Sequence, residues 1–234
     1  MIPYLNPRCH PATLDSYTNL RALLSAVERE LVAFRGIVLD VGCGEMPYKP
    51  LIMKRADRVT RYIGLDLPAS GFAPDVLWDG RTIPIGTGTV DTVLLTEVLE
   101  HCPEPPRVLA EVHRVLKPGG LLYLTVPFIW PFHDVPFDEY RYTPFALQRM
   151  MQSVGFAEPR IEATAGRHAT LAVMTGLWVR RRPLGSLRRV ATRKILSTLL
   201  WPIVWWLSRI DTRPVELGES TLVVGLTATA RKSA

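Results

Sequence analysis

Short apolar runs alternate with amphipathic stretches along most of the chain, and this alternation predicts strands connected by helices. Aliphatic and β-branched runs predict strands at 37–41, 61–66, 75–78, 90–95, 120–126, 160–164 and 220–229. Repeated strand–helix alternation is typical of βαβ units with right-handed crossovers. The pattern therefore predicts an α/β fold with a Rossmann-like, doubly wound sheet and helices on both faces.

Three helices have clear sequence signals. Residues 13–35 carry apolar side chains at helical spacing, and Gly36 follows them. A second helix has Pro105 and Pro106 in its first turn and is stopped by residues 117–120. A third begins at Thr143-Pro144, with the hydroxyl as N-cap, and is closed at residue 155. We expect one domain over residues 1–234, with an N-terminal helix at 13–35.

Residues 165–215, between the last two predicted strands, differ in composition from the rest. From Glu162 to Asp211 the chain has nine basic residues and no acidic one between these two, whereas the remainder is mildly acidic. The apolar runs 171–179 and 195–207 contain four tryptophans. Thirteen helical residues rise about 20 Å, less than the ~30 Å hydrocarbon core of a membrane.

This basic, tryptophan-rich helical insertion is typical of an interfacial anchor, so we expect contact with an anionic membrane surface through residues 171–209. The alternative is an oligomerisation or core-capping helix pair. Nucleic acid ranks third, because the basic run lacks interleaved aromatic residues.

The remaining composition fits a folded cytoplasmic protein. The 234 residues are 47% hydrophobic and 21% charged. Cys9, Cys43 and Cys102 match no zinc or disulfide spacing and are expected to be free thiols. The first ten residues lack the pattern of a signal peptide. We therefore expect a cytoplasmic location, peripheral at the inner face of the membrane.

The turn after the first predicted strand carries the strongest chemical signal. Residues 38–51 read VLDVGCGEMPYKPL, in which Gly42 and Gly44 allow a tight turn and close approach of a ligand. A pyrophosphate site would place a third glycine where Pro47 stands. Asp40 would repel a pyrophosphate but attract a cationic or hydrogen-bond-donating group. The turn therefore predicts a nucleoside ligand without phosphates, and Cys43 fills the space between the glycines.

Four stretches in order resemble the class I S-adenosylmethionine-dependent methyltransferases, near the type 11 group. They are VLDVGCGEMPY, YIGLDL, WDGRTIPIGTGTVDTVLLTEVLEH and AEVHRVLKPGGLLYLTVPF, spanning roughly residues 35–130. The resemblance implies a seven-stranded sheet with an antiparallel last strand and S-adenosyl-L-methionine as cofactor. It implies that Asp40, Gly42 and Gly44 line the methionine end, with Asp66 on the ribose and Asp79 on the adenine.

Other candidates for the cofactor site adjoin these positions. Residues that follow the predicted strand ends are included with them: Cys43, Leu67, Gly80, Thr96, Glu97 and His101. Asp66 could instead cap a turn, and Asp79 before Gly80 could be a turn residue. His101, four residues after Glu97, either closes the cleft or ends a short helix.

Residues 127–144, PFIWPFHDVPFDEYRYTP, follow the fifth predicted strand and are candidates for the acceptor side. We expect His133 to be the catalytic base, Asp138 to orient or replace it, and Arg141 to hold an anionic acceptor group. The alternative is a rigid lid with an internal Asp138–Arg141 salt bridge. Asp134 completes a conceivable metal set with His133 and Asp138, but one histidine is a weak basis, so no metal is expected.

The sequence thus predicts methyl transfer from S-adenosylmethionine, with oxygen as the favoured acceptor atom on a small molecule, sugar or lipid-linked group. The alternatives are an RNA methyltransferase and a non-catalytic nucleoside-binding scaffold. A dehydrogenase is disfavoured by Asp40 and Pro47.

Overall fold

The computed structural model describes residues 4–181 and 187–233. The chain divides into two compact units. The helical unit comprises Met1–Ala26, Ile129–Pro131 and Ala163–Gly225, and the sheet unit comprises Val27–Phe128, Phe132–Glu162 and Leu226–Ala234.

The predicted seven-stranded α/β sheet is confirmed. Its strands are β1 (Gly36–Val41), β2 (Val59–Asp66), β3 (Val76–Leu77), β4 (Val90–Thr96), β5 (Leu116–Pro127), β6 (Phe156–Ala163) and β7 (Gly225–Lys232). They are ordered β3-β2-β1-β4-β5-β7-β6. The strands from β1 to β5 pair in parallel, and the last strand is antiparallel.

The α-helices flank the strands in sequence: α1 (Tyr17–Glu30), α2 (Lys49–Arg55), α3 (Pro105–Val115), α4 (Pro144–Ser153), α5 (Arg167–Arg180) and α6 (Leu187–Ile210). The Thr143 hydroxyl accepts from the Ala146 N–H, as expected of an N-cap. The N-terminal helix is shorter than 13–35, because its last turn tightens into a 3-10 turn at Leu31–Ala33.

Strand limits differ from the predicted ones where pairing overrides local signals. The strand expected at 120–126 already begins at Leu116, since Leu116 pairs with Val90 before the chain reaches the stop signal at 117–120. The strand expected at 75–78 has only two residues. Strands expected at 160–164 and 220–229 begin at Phe156 and Gly225 instead.

Parallel register brings three strand ends to one edge of the sheet. Asp40 in β1 is the register partner of Gly64 in β2 and Leu94 in β4. The buried core behind this edge includes Phe34 and Tyr123, whose rings meet edge to face with centroids 5.6 Å apart. Side chains that follow β1, β2 and β4 are therefore held by a rigid scaffold.

In the helical unit, α5 and α6 pack against each other. The N-terminal segment packs on them so closely that a Cβ on Gly176 would lie 2.0 Å from the backbone oxygen of Leu14. Buried Leu14, Ala172, Val204 and Leu207 form a core there. Across residues 4–181 and 187–233, the helices all fall short of the length and apolar character needed to cross a membrane.

Candidate functional site

The turn after β1 is held by hydrogen bonds to β2. The N–H groups of Gly42 and Cys43 both donate to the Leu65 carbonyl, at 2.8 and 3.0 Å. Gly42 has φ +71°, and a Cβ there would lie 2.4 Å from a Val98 methyl group. Gly44 has φ +52° and open space beside it, with Phe72 3.8 Å from where a Cβ would be. Glycine at both positions keeps the backbone bare at the strand edge.

Asp40 is buried with one carboxylate oxygen satisfied. The Tyr62 hydroxyl donates to Oδ2 at 2.5 Å, whereas Oδ1 is buried and has no hydrogen-bond partner among the described residues. The pKa of Asp40 is raised to about 7, chiefly by burial. The nearby Asp66 acts in the same direction, and Tyr62 and Lys49 act in the opposite one. This oxygen is therefore suited to a cationic or N–H donor from a ligand.

Asp66, at the end of β2, organises the same turn. Its Oδ2 accepts from the Gly44 N–H and its Oδ1 from the Leu67 N–H, both at 2.7 Å. The side chain is nearly buried. Asp66 therefore links the β2 end to the glycine turn and keeps lone pairs for a further donor.

Asp79 lies on an exposed turn. Its Oδ1 accepts the N–H groups of Arg81 and Thr82, both at 2.7 Å, which is the geometry of an Asx turn. These hydrogen bonds lower the pKa of the Asp79 carboxyl. Gly80 follows with φ +80°. The turn role considered from the sequence is thus present, and a contact with adenine remains a prediction.

Two carboxylates follow β4. Glu97 has φ +53°, and its N–H donates to the carbonyl and hydroxyl oxygens of Thr125. Burial raises the pKa of Glu97 to about 7, against the effects of Thr125 and Arg141. Burial and the proximity of Glu97 hold the pKa of Glu100 well above its usual value. Thr96, which closes β4, is half-buried.

The loop at residues 127–144, called the acceptor loop after its expected role, contains the Asp138–Arg141 salt bridge that the sequence offered as an alternative. Arg141 donates to both oxygens of Asp138, at 2.6 and 2.8 Å, which lowers the pKa of Asp138 to about 2. Asp138 Oδ2 also accepts the His133 N–H at 3.2 Å and stands 3.3 Å from His133 Nδ1. Arg141 therefore fixes Asp138, and Asp138 in turn fixes the backbone of His133.

His101 and His133 meet across the loop. Their rings are edge to face with centroids 4.7 Å apart. His101 Nδ1 lies 3.2 Å from the Phe137 carbonyl, and its Nε2 lies 3.7 Å from Glu100 Oε1. Burial lowers the pKa of His101. The short helix end considered for His101 exists as a 3-10 turn, Leu99–His101.

Two residues of the site, Tyr62 and Glu100, were not among the candidates from the sequence. In the sequence Tyr62 is one of several apolar residues of a predicted strand. Its hydroxyl reaches Asp40 only because β1 pairs with β2. Glu100 is fully buried. The available signal was the spacing of Glu97, Glu100 and His101, which gathers three titratable groups within five residues.

The burial of Asp40 predicts a pH dependence of stability in the cofactor-free protein. With a folded-state pKa of about 7 against an ordinary value of 3.8, the Asp40 carboxyl of the folded chain keeps a proton between these pH values that the unfolded chain loses. Stability from this group is complete below pH 3.8 and is lost as the pH rises through 7. We expect Asp40→Asn to reduce the fall in Tm between pH 6 and pH 8, measured by circular dichroism.

Each kcal/mol recovered corresponds to about 2–4 °C in a chain of this size. Glu97 contributes a slope of the same sign, so the fall is reduced rather than abolished. Asp57→Asn, at an exposed carboxylate, is the control and should leave the slope unchanged. An Asp40→Asn slope identical to that of the wild type would contradict the assigned pKa.

Comparisons with known proteins agree with this geometry. Residues 39–124 match the family model of a methyltransferase domain. The ubiquinone biosynthesis O-methyltransferase of Pseudomonas paraeruginosa is 33% identical over 102 residues, covering 38% of this chain and 43% of that protein. An uncharacterized methyltransferase of Mycobacteroides abscessus is 33% identical over 132 residues, covering 48% and 49%. The matches thus span less than half of these relatives' length.

Among solved structures, a methyltransferase of Thermotoga maritima, described as a possible histamine N-methyltransferase, superposes with a TM-score of 0.58. The superposition covers 94% of this chain and 92% of that one at 16% identity, and it therefore shows the shared fold alone. The sequence match begins in β1 and ends in β5, the segment that builds the glycine turn and the strand ends described above. Residues 39–124 thus belong to a methyltransferase-domain family, and the sheet that contains them has the fold of S-adenosylmethionine-dependent methyltransferases.

Proposed function

We propose that this protein transfers a methyl group from S-adenosylmethionine to an oxygen atom of a small-molecule, sugar or lipid-linked acceptor. The observation that carries the proposal is Asp40 Oδ1, which has no hydrogen-bond partner within the described part of the chain and is buried beside a turn that has no Cβ at Gly42 or Gly44. When bound, the cofactor supplies an electrophilic sulfonium methyl group.

The residues of the strand edge fit this cofactor. The methionine end carries an ammonium group, which would satisfy Asp40 Oδ1 and offset the burial of its charge. Asp66 can accept from ribose hydroxyls with the lone pairs that Gly44 and Leu67 leave open. Phe72, half-exposed beside Gly44, offers an aromatic face to the nucleoside. Asp79 is assigned to the adenine amino group.

The acceptor loop supports an acceptor with an apolar part. Phe132, Val135 and Phe137 are 86%, 74% and 63% exposed, which is unusual for three large apolar side chains within six residues. The name of the Pseudomonas relative assigns that protein to O-methylation in ubiquinone biosynthesis. An aromatic or isoprenoid-like acceptor would bury these side chains on binding.

His133 is the proposed base for the acceptor proton. Asp138 accepts its backbone N–H and lies 3.3 Å from Nδ1, so this carboxylate is close enough to stabilise the imidazole once it has taken a proton. Arg141 acts as a positioning residue through Asp138, because two of its nitrogens are engaged by that carboxylate. This differs from the sequence-based expectation that Arg141 holds an anionic acceptor.

Contact with an anionic membrane surface is the second part of the proposal. Apolar side chains recur every three or four residues on exposed faces of the two long helices: Leu171, Met174 and Trp178 on α5, and Ile195, Leu199, Ile203, Trp206 and Ile210 on α6. Arg209 lies over the Trp205 ring at 4.5 Å. Exposed apolar stripes within a segment free of acidic residues favour an anionic lipid surface over a protein partner.

Part of this positive charge is already neutralised. Arg180 and Arg181 both pair with Asp15, at 3.7 and 2.9 Å. Arg182, one of the basic residues predicted for the surface, lies outside the described residues. RNA as acceptor would also use basic residues, but the exposed aromatics of α6 are interleaved with aliphatic side chains rather than with arginines.

Asp66→Ala tests the cofactor site. We expect the affinity for S-adenosylmethionine to fall at least tenfold, about 1.4 kcal/mol, because the ribose acceptor is lost and Gly44 is released from its hydrogen bond. Isothermal titration calorimetry measures the change. Asp57→Ala, at an exposed aspartate on the loop before β2, is the matched control and should bind as the wild type does. Unchanged affinity in Asp66→Ala would remove Asp66 from the site.

Vesicle co-sedimentation tests the membrane surface. The protein should pellet with phosphatidylcholine vesicles containing phosphatidylglycerol and not with pure phosphatidylcholine, since each exposed basic residue contributes about 1 kcal/mol near anionic lipid. Leu199→Ser combined with Trp206→Ser should weaken binding at least about tenfold. Val32→Ser, at an 83% exposed apolar residue of the sheet unit, is the control.

Equal binding by the double variant would contradict this surface assignment. A change of the double variant's oligomeric state in size-exclusion chromatography, without vesicle binding by the wild type, would favour the oligomerisation alternative.

A further inference from the structure

Glu100, His101 and His133 form a cluster for which the mechanism above has only one use. One ring nitrogen of each histidine and one carboxylate oxygen of Glu100 all lie within 4.8 Å of one another. His101 and Glu100 belong to the 3-10 turn after β4, and His133 belongs to the acceptor loop. Two separate segments thus bring nitrogen and oxygen donors to one point.

Glu100 is the unusual member of this cluster. Its residue is 0% exposed, and neither carboxylate oxygen has a hydrogen-bond partner within the described part of the chain. A buried carboxylate is normally paired with a cation or with hydrogen-bond donors. Arg141, the cation near Glu97 and Glu100, is already bound bidentately by Asp138. A cation between Glu100 and the two rings would supply the missing partner.

Each of the two imidazoles has an oxygen atom close to its Nδ1, as metal-bound histidines commonly do. His101 Nδ1 lies 3.2 Å from the Phe137 carbonyl, which leaves Nε2 facing Glu100. The carboxylate of Asp138, itself held by Arg141, accepts the backbone N–H of His133 and lies 3.3 Å from Nδ1, although Nδ1 has no hydrogen-bond partner among the described residues. Metal-binding histidines commonly have a backbone carbonyl or a carboxylate on the second ring nitrogen.

The backbone keeps the two segments in register. The Glu100 carbonyl accepts the N–H groups of Glu139 and Tyr140, at 3.0 and 3.1 Å. The histidine side chains are 22% and 27% exposed, which leaves a path for an ion from solvent. Tetrahedral zinc ligands lie about 3.4 Å apart, so a contraction of about 1 Å would close the cluster around an ion.

We propose that Glu100, His101 and His133 bind a divalent transition-metal ion of the zinc type. Two imidazoles and one carboxylate match the donor set of open zinc sites, in which a fourth position remains available. With an ion bound, His133 would serve as a ligand and not as the base of the proposed function. The set differs from His133, Asp134 and Asp138, for which the sequence predicted no metal, because Glu100 and His101 replace the two aspartates.

Metal binding by untagged protein, first stripped with a chelator, tests the proposal without reference to methyl transfer. We expect calorimetric titration with Zn²⁺ to give one site of micromolar affinity or better, and Co²⁺ to produce the visible absorption of a tetrahedral complex. His101→Gln and His133→Gln should each weaken binding at least tenfold. Glu100→Gln should do the same if it folds, and the two histidine variants decide the test if it does not.

His113→Gln is the matched control, because His113 lies on α3 against Phe156 and outside the cluster. No Zn²⁺ or Co²⁺ binding by the wild type, or equal binding by the cluster variants, would overturn the site. Binding of S-adenosylmethionine to the same samples separates this outcome from failure of the proposed function. A chain that binds the cofactor but no metal keeps the methyltransferase proposal, with His133 as base, and loses this one.

Discussion

The burial of a carboxylate beside a bare backbone turn is the constraint on which the site depends. Asp40 is placed by its strand register and retained by one hydrogen bond from Tyr62, and its second oxygen is left open for a ligand, since none of the described residues donates to it. Gly42 cannot acquire a Cβ without meeting Val98. The free energy given up in burying this carboxylate is recovered when a cationic group binds, which is how a preorganised site gains affinity.

Buried charge also organises the acceptor loop, where one charged group holds the next. Arg141 neutralises Asp138, Asp138 holds the backbone of His133, and the buried Glu100 carboxylate accepts no hydrogen bond from the residues that the structure describes. The Asp138–Arg141 ion pair holds the loop, whereas the buried carboxylate of Glu100 can still accept a cation or a proton. The side chains of Phe132 and Phe137 are exposed at the surface of the same loop. In the proposed function they would contact the apolar part of the acceptor, away from the charged groups.

Much of the fold could be predicted from the sequence, because apolar runs and the signals at 105–106 and 143–144 are local. Strand limits could not be predicted, since Leu116 becomes a strand residue only by pairing with Val90. In the site, Asp40 and Asp66 lie at the ends of predicted strands and could be recognised as a pattern. Glu100 was not, because burial of a charge depends on a loop far along the chain that covers it.

Calorimetric titration of the purified protein with S-adenosylmethionine and S-adenosylhomocysteine, with NADH as control, tests the central claim most directly. The account predicts micromolar binding of the first two and none of NADH, because Asp40 Oδ1 requires a donor and repels a pyrophosphate. Absence of binding by both nucleosides would contradict the account, and a non-catalytic scaffold would then be the better description. Binding of NADH would contradict the role given to Asp40.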